Sequence, residues 1–190
     1  MDVHLYRLVN ELQTDTGWLH GTALFYAKTG GPVLLALLLL VGVAVGRLAD
    51  LEHVARAGWA GLSTFVAVAV NQPIVHAFDR ARPYRHLHDV HLLGTPSMDA
   101  SFPSDHATLS GAALAGLFLV DKRLGWTATA AGLVLSVDRV YIGAHYPGDV
   151  VAGLALGAAV AVAGWFALRR PLTWVVERLA ATRMRPLLTP

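Results

Sequence analysis

Three short polar segments carry the residues of this chain that could do chemistry. They read RARPY at 80–84, SFPSDHA at 101–107 and DRVYIGAHYPGD at 138–149. Their histidines offer ring nitrogens that attack an electrophilic centre or transfer a proton. Their arginines offer planar forks of donors that match phosphate oxygens, and they keep their charge at physiological pH. This combination predicts chemistry on a phosphoryl group.

The third segment places a histidine beside a helix start. The sequence Tyr-Pro-Gly at 146–148 is expected to open a helix, which puts His145 just before it and Asp149 in its first turn. At this spacing the carboxylate of Asp149 is predicted to reach one imidazole nitrogen and to fix the tautomer. The other nitrogen of His145 is then free to attack phosphorus as a nucleophile.

The second segment predicts another helix start, at residues 103–106. Such a start binds anions, because its first N–H groups have no partner within the helix and its dipole is positive there. The hydroxyl of Ser104 is expected to donate to the same anion, and His106 to protonate the leaving oxygen and later to activate water. Arg82 and Arg139 are expected to bind the phosphoryl oxygens, because an arginine in a membrane span costs roughly 2.5 to 3.5 kcal/mol and needs a partner.

These segments resemble the signature of the type 2 phosphatidic acid phosphatase superfamily, K-x6-R-P, then P-S-G-H, then S-R-x5-H-x3-D. The resemblance covers about residues 70–155 by motif, within a chain we interpret as one domain, 1–190. It implies a helical membrane fold and hydrolysis of a phosphate ester or diphosphate without a metal or other cofactor. It also implies His145 as nucleophile oriented by Asp149, His106 as general acid, and Arg82, Ser104 and Arg139 as phosphate ligands.

Three positions depart from that signature. Val75 stands where the family has its lysine, Asp105 where it has glycine, and Asp138 where it has serine. We expect Arg80 or His76 to supply the missing charge, so Arg80 is a further candidate phosphate ligand. Asp105 is counted with the phosphate-site residues, and both aspartates are expected to pair with Arg82, Arg139 or His106.

The same departures are similar to the bacterial undecaprenyl-diphosphate phosphatases of the superfamily. This resemblance implies removal of the terminal phosphate of a polyprenyl diphosphate, which regenerates a carrier lipid for cell-wall synthesis. Alternative enzyme substrates are phosphatidate, phosphatidylglycerophosphate and other lipid phosphates. Two alternatives without catalysis stay open: a transporter, because charges within a membrane also line ion paths, and a protein that binds lipid diphosphate without turnover.

The elements that must position these residues are membrane helices. Of the 190 residues, 55% are hydrophobic and only 15% charged, with mean hydropathy +0.50. A span needs roughly 20 apolar residues. We predict an all-α membrane bundle of about five spans, near 24–45, 57–78, 104–121, 126–142 and 149–168. Amphipathic surface helices are expected at 3–14 and 172–185.

Charge distribution predicts the orientation. Arginine and lysine follow the first, third and fifth spans, so those ends are assigned to the cytoplasm and the three polar segments to the outer face of the cell membrane. No clustered basic face predicts nucleic-acid binding. The absence of cysteine excludes thiolate catalysis and disulfides. A metal site at His86, His88, Asp89 and His91 is a weaker hypothesis, because no regular element orients them. The sequence gives no prediction of oligomeric state.

Overall fold

The computed structural model describes residues 1–189, and within that range the fold is all-α. The long helices are α1 (Asp2–Asp15), α3 (Gly31–Ala49), α4 (Leu51–Phe78), α6 (Asp105–Val120), α7 (Lys122–Tyr141) and α8 (Pro147–Ala180). The short helices are α2 (His20–Phe25), α5 (Pro83–His86) and α9 (Arg185–Leu188).

Five helices form the bundle, at the places where the sequence predicts spans: α3, α4, α6, α7 and α8. Three helical segments are long and apolar enough to cross a membrane, namely Gly17–Ala49, Leu51–His86 and Pro147–Ala180. Helix α6 is apolar but has only 16 residues. Helix α7 has 20 residues and carries charged side chains near both ends. The chain is therefore a multi-pass membrane protein, as predicted.

Small residues let α6 and α8 pack backbone to backbone. A Cβ added to Gly153 would lie 2.6 Å from the carbonyl oxygen of Ser104, and one on Gly157 would collide with the Thr108 carbonyl. Close approach through glycine is typical of membrane helix pairs. The contact fixes the start of α6 against the start of α8, which are the two helix starts that the sequence assigns to the site.

The two ends of the chain differ from the sequence prediction. The predicted surface helix at 172–185 is largely a continuation of α8, which runs through Pro171 to Ala180. The first span is also longer than predicted, because a 3-10 turn at Gly17–Leu19, α2 and a π-helical turn at Tyr26–Gly30 join it without a break. Pro171 removes one backbone donor from α8, but the helix continues past it to Ala180.

Helix α1 packs its polar and aromatic side onto the protein. Its buried residues are Tyr6, Asn10 and Gln13, whereas Leu8 and Leu12 are exposed. The sequence places Leu5, Leu8, Val9 and Leu12 on one face; the three leucines are exposed, whereas Val9 packs against the buried cluster that contains Tyr6. This arrangement suits a helix that lies at the membrane surface with its apolar side in the lipid.

Candidate active site

A cavity of about 610 Å³ opens at one end of the bundle. Its walls come from the end of α4, the connection between α4 and α6, the start of α6, the end of α7 with the turn after it, and Lys28. Most of the candidate residues line it: Arg82, Asp105, His106, Arg139 and His145. The three segments are thus brought to one place, as their positions at the helix ends predict.

His145 follows a tight turn after α7. Gly143 has φ +85°, and a Cβ there would collide with the carbonyl oxygen of His91, so only glycine fits this turn. The Nδ1 of His145 lies 2.8 Å from the carbonyl oxygen of Ser101. Because a carbonyl only accepts, Nδ1 carries the proton and Nε2 keeps its lone pair. Nε2 lies 3.2 Å from Nη1 of Arg82, and His145 is one of the residues that line the cavity.

Asp149 acts less directly than the sequence predicts. Its Oδ2 is 3.8 Å from the Nδ1 of His145, which is too long for a hydrogen bond. That oxygen instead accepts from the hydroxyl of Ser101 and from the backbone N–H of Tyr146, the latter at 2.9 Å. The prediction that Asp149 itself fixes the tautomer is wrong, because the Ser101 carbonyl holds the Nδ1 proton. Asp149 orients Ser101 and places a negative charge behind the imidazole.

Arg82 holds the imidazole from the other side. Its Nε donates to the carbonyl of Asp99 at 3.0 Å, and its Nη1 donates to the carbonyl of Ala144 and approaches Nε2 of His145, each at 3.2 Å. The predicted role of Arg82 as a phosphate ligand agrees with this position beside Nε2 of His145. The side chain is buried apart from its access to the cavity.

Arg139 and Ser104 have unused donors. Within residues 1–189 the guanidinium of Arg139 makes no hydrogen bond, and its Nε is buried without a partner. Ser104 precedes α6, but its hydroxyl makes no capping bond and is also buried without a partner. Buried donors of this kind cost roughly 1 to 3 kcal/mol each unless a ligand satisfies them. Arg139 lines the cavity, whereas Ser104 is fully buried and is not among the described residues that line it.

His106 stands in the first turn of α6, on the cavity wall together with His145. Its position agrees with the predicted role of a proton donor to the leaving group. Pro103, Asp105 and His106 line the cavity, so the start of α6 lies where the sequence predicts an anion site.

Two candidate phosphate ligands are placed differently from the prediction. Arg80 does not line the cavity; its terminal nitrogens donate to the carboxylates of Asp149 and Asp2, at 2.6 and 2.7 Å. Asp105 does line it, but its Oδ1 accepts from Asn71 at 2.7 Å and from Gln72 at 3.0 Å. Asp105 therefore ties α4 to α6, and its expected pairing with arginine or His106 is wrong.

The remaining predictions concern Asp138 and the histidine cluster. Asp138 is buried and its Oδ2 has no partner within the described residues, so its predicted ion pair is not formed. In the described part of the chain, His86, His88, Asp89 and His91 do not assemble into a group that could hold a metal. That hypothesis is not supported.

Sequence reasoning missed three residues of the site. Ser101 is fully buried and joins His145 to Asp149. Asp2 contacts the site from the N-terminus. Lys28 lines the cavity from the π-helical turn. Val75, which the sequence already shows in place of the family lysine, also lines the cavity. Ser101 lies inside a segment already singled out, whereas no sequence signal connects Asp2 or Lys28 with the site.

The environment of His145 favours its neutral form. Burial lowers its pKa below the ordinary value of 6.5, and the charges of Arg139 and Arg82 lower it further, against the opposing effect of Asp149. The nucleophile is therefore unprotonated at neutral pH. This is the form that can attack phosphorus.

The sequence and the fold were then compared with known proteins. The model of the PAP2 superfamily matches residues 56–172, a stretch that includes all three polar segments. The chain belongs to the PAP2 superfamily. The predicted family resemblance is thereby confirmed, and the chain is a hydrolase of phosphate esters within that superfamily.

Relatives in the PAP2 superfamily carry several substrate names. The chain is 29% identical over 160 residues to the undecaprenyl-diphosphatase BcrC of Bacillus subtilis, which covers 84% of this chain and 80% of that protein. It is 38% identical over 119 residues to a lipid A 1-phosphatase of Rhizobium etli, covering 58% of this chain and 48% of that protein. The crystal structure of Aquifex aeolicus LpxE has TM-score 0.71 and 23% identity, covering 87% and 94%, and shows the same fold.

Proposed function

We propose that this PAP2 protein removes the terminal phosphate of a polyprenyl diphosphate, such as undecaprenyl diphosphate, through a phosphohistidine on His145. The observation that carries the proposal is the imidazole of His145, buried with Nδ1 bound to the Ser101 carbonyl and Nε2 beside Arg82 at the cavity. This geometry leaves one nitrogen nucleophilic and surrounds it with donors for phosphate oxygens.

In the first step, the lone pair on Nε2 attacks the terminal phosphorus. The new P–N bond forms as the bond from phosphorus to the bridging oxygen breaks, and His106 donates its proton to that oxygen. The lipid monophosphate leaves. This step requires the protonated form of His106 when the diphosphate is bound.

In the second step, water hydrolyses the phosphohistidine. His106, now neutral, takes a proton from a water molecule while the oxygen of that water attacks phosphorus. The P–N bond breaks and its electron pair returns to Nε2 of His145, so inorganic phosphate leaves and both histidines regain their starting forms. Asp149 keeps a negative charge behind His145 throughout.

The donors around the cavity supply positioning and charge stabilisation. Arg82 lies beside the attacking nitrogen, and Arg139 and Ser104 have donors without protein partners. Preorganised donors stabilise charge that develops on phosphoryl oxygens, because they need no reorganisation during the reaction. These roles extend the sequence prediction for all three residues.

A diphosphate substrate is supported by the cavity lining and by the length of the match to BcrC. The wall carries three cations, Lys28, Arg82 and Arg139, that suit the oxygens of two phosphate groups, and also three carboxylates, Asp79, Asp99 and Asp105. Apolar side chains, Val75, Leu92, Leu93 and Ile142, line the same cavity and suit the first part of a lipid chain. Hydrolysis of a lipid phosphomonoester is the second candidate, since the lipid A 1-phosphatase is 38% identical, although over a shorter stretch of 119 residues.

The proposed location is the cytoplasmic membrane, with the cavity on its outer face. Arg47, Lys122 and Arg123 lie at the helix ends opposite the cavity, Arg56 lies in the second turn of α4, and Arg169 and Arg170 lie within α8 beside Glu52 at the start of α4. A concentration of such residues favours the cytoplasmic side. Product lipid would then be released in the outer leaflet.

The test is phosphate release by purified protein in excess EDTA, with undecaprenyl diphosphate and phosphatidate compared at equal concentrations. We expect higher kcat/KM for the diphosphate and a loss on the order of 10⁴-fold or more in His145→Ala, which lacks the nucleophile. His4→Ala is the matched control, because His4 is exposed on α1. Its activity should equal that of the wild type.

The outcomes separate the alternatives. Greater activity on phosphatidate would replace the diphosphate proposal by the monoester one. Release that requires a divalent metal would overturn the mechanism. Absence of release from both lipids, with lipid bound equally by the wild type and His145→Ala, would indicate a binding protein, and flux across vesicles without hydrolysis would indicate a transporter.

A further inference from the structure

We propose that helix α1 belongs to the catalytic apparatus, with Asp2 as a positioning residue that acts on Asp149 through Arg80. The inference rests on the proposed function, because it assigns Asp2 to the support of the nucleophile His145. It gives the N-terminal surface helix a role beyond membrane attachment.

A continuous series of hydrogen bonds connects Asp2 with His145. The Nη2 of Arg80 donates to Oδ2 of Asp2 at 2.7 Å, and its Nη1 donates to Oδ1 of Asp149 at 2.6 Å. The other carboxylate oxygen of Asp149 accepts from Ser101, whose carbonyl holds Nδ1 of His145. Each link is a hydrogen bond between residues far apart in sequence, so the arrangement comes from the tertiary fold.

Asp2 also holds the helix that carries Asp149. Its Oδ1 accepts from the backbone N–H of Gly148 at 2.8 Å, in the first turn of α8. The guanidinium of Arg80 lies 4.0 Å from the centre of the Tyr146 ring, next to the same turn. One carboxylate therefore fixes both the cation that binds Asp149 and the start of its helix, where a negative charge is favoured by the dipole.

The rest of α1 fixes the turn that carries His145. The amide of Asn10 donates to the His91 carbonyl and its oxygen accepts from the His91 N–H, each at 2.8 Å. Gln13 donates to the carbonyl of Tyr141 at the end of α7, and the hydroxyl of Tyr6 lies 3.4 Å from the Gly143 carbonyl. Helix α1 thus contacts the segments on both sides of His145.

The need for such support follows from burial. Asp149 is fully buried, and a buried carboxylate is stable only with good geometry to a cation and to donors. Arg80 and Asp2 are each about one-third exposed, at 34% and 32%. Without Asp2, only the bond to Asp149 and the contact with the Tyr146 ring would hold the terminal fork of Arg80, so the cation that pairs with Oδ1 of Asp149 would be held less firmly.

The test compares Asp2→Asn with Glu11→Gln. Both changes turn an acid of α1 into its amide, but Glu11 is exposed and lies away from the site. With undecaprenyl diphosphate we expect Asp2→Asn to lower kcat about fivefold, close to 1 kcal/mol, with KM unchanged, and Asp2→Glu to restore part of it. Glu11→Gln should match the wild type in both parameters.

Coupling to Arg80 provides the decisive comparison. Arg80→Ala should lower kcat about tenfold or more, and adding Asp2→Asn to it should change kcat by less than twofold, because the path through Arg80 is already broken. Wild-type kcat in Asp2→Asn would overturn the proposal. An equal loss in both backgrounds would do so too, since Asp2 would then act independently of Arg80.

A measurement without substrate separates this proposal from the proposed function. Titration of the His145 ring by NMR needs no turnover. Loss of the negative charge of Asp2 should lower the pH at which the His145 ring titrates, because the charges that remain near the ring are more positive. If the wild type hydrolyses no lipid but the titration shifts, the function fails and the coupling stands; unchanged titration together with unchanged kcat would remove the coupling alone.

Discussion

The two ends of the helix bundle treat their charged side chains in opposite ways. At the end away from the cavity the ion pairs are local: Arg56 bonds Glu52 four residues before it, and Asp50 bonds His53 three residues after it. At the cavity end, Arg80 reaches carboxylates 69 and 78 residues away, and the guanidinium of Arg139 makes no hydrogen bond within residues 1–189. Local ion pairs stabilise one helix, whereas the ion pairs at the cavity end join separate elements of the fold.

The largest expected difference between the ends concerns arginine. Arg139→Ala removes a cation whose donors face the cavity, and kcat/KM for the lipid diphosphate should fall on the order of 10² to 10³-fold. Arg56→Ala is the control from the opposite end. It should leave kcat/KM within twofold and reduce stability by about 0.5 kcal/mol, because an exposed pair is worth little.

Steady-state kinetics and thermal unfolding of both variants check this comparison. A loss of activity in Arg56→Ala as large as that in Arg139→Ala would show that the arginines act through folding. Equal activity of Arg139→Ala and the wild type would remove Arg139 from the phosphate site.

A smaller effect distinguishes two residues at helix starts. Asp50 caps α4 by accepting from the N–H of His53 at 2.8 Å, whereas Ser104 precedes α6 without a capping bond. Asp50→Ala should therefore lower stability by about 1 kcal/mol and spare activity. Ser104→Ala should lower kcat/KM about tenfold and spare stability, since its hydroxyl has no protein partner to lose.

Melting temperature and kcat/KM, measured on both variants, decide the matter. The opposite result for Ser104→Ala, with lower stability and full activity, would reduce Ser104 to an ordinary helix start.

The smallest expected effect is a displacement of the pH profile. The pKa of His145 is lowered by burial, so the acid limb of kcat/KM that reports this group should lie below pH 6.5. The unfolded chain takes up a proton there that the folded chain does not, so stability should also fall as pH decreases below about 6.5. An acid limb above pH 6.5 that is lost or shifted in Arg82→Lys would be assigned to His145. Such a limb would contradict the buried neutral imidazole.

The difference between the ends also shows what sequence could predict. Hydropathy and helix-start residues predicted the five helices of the bundle. The order of the motifs predicted that His106, Arg139 and His145 meet, because each stands at the same end of the bundle. The boundary between α8 and the tail was missed, since Pro171 suggested an end that packing does not produce. Local signals are weakest where tertiary contacts hold a helix together.

The roles of acids at the site were predicted less well. Sequence spacing suggested that Asp149 bonds His145 directly and that Asp105 pairs with a cation. In the structure Ser101 stands between the first two residues, and amides of α4 bind Asp105. A hydrogen bond depends on differences of less than 1 Å, and spacing along the chain does not define them.

The sequence by itself determined the membrane character, the helical class, the family and the residue types available for phosphoryl chemistry. These follow from hydropathy and short motifs, which act locally. Only the tertiary structure decided that Asp2 joins Arg80 and Asp149, that Lys28 lines the cavity and that Arg80 does not. Those contacts arise where helices and loops distant in sequence meet, and no local pattern encodes their geometry.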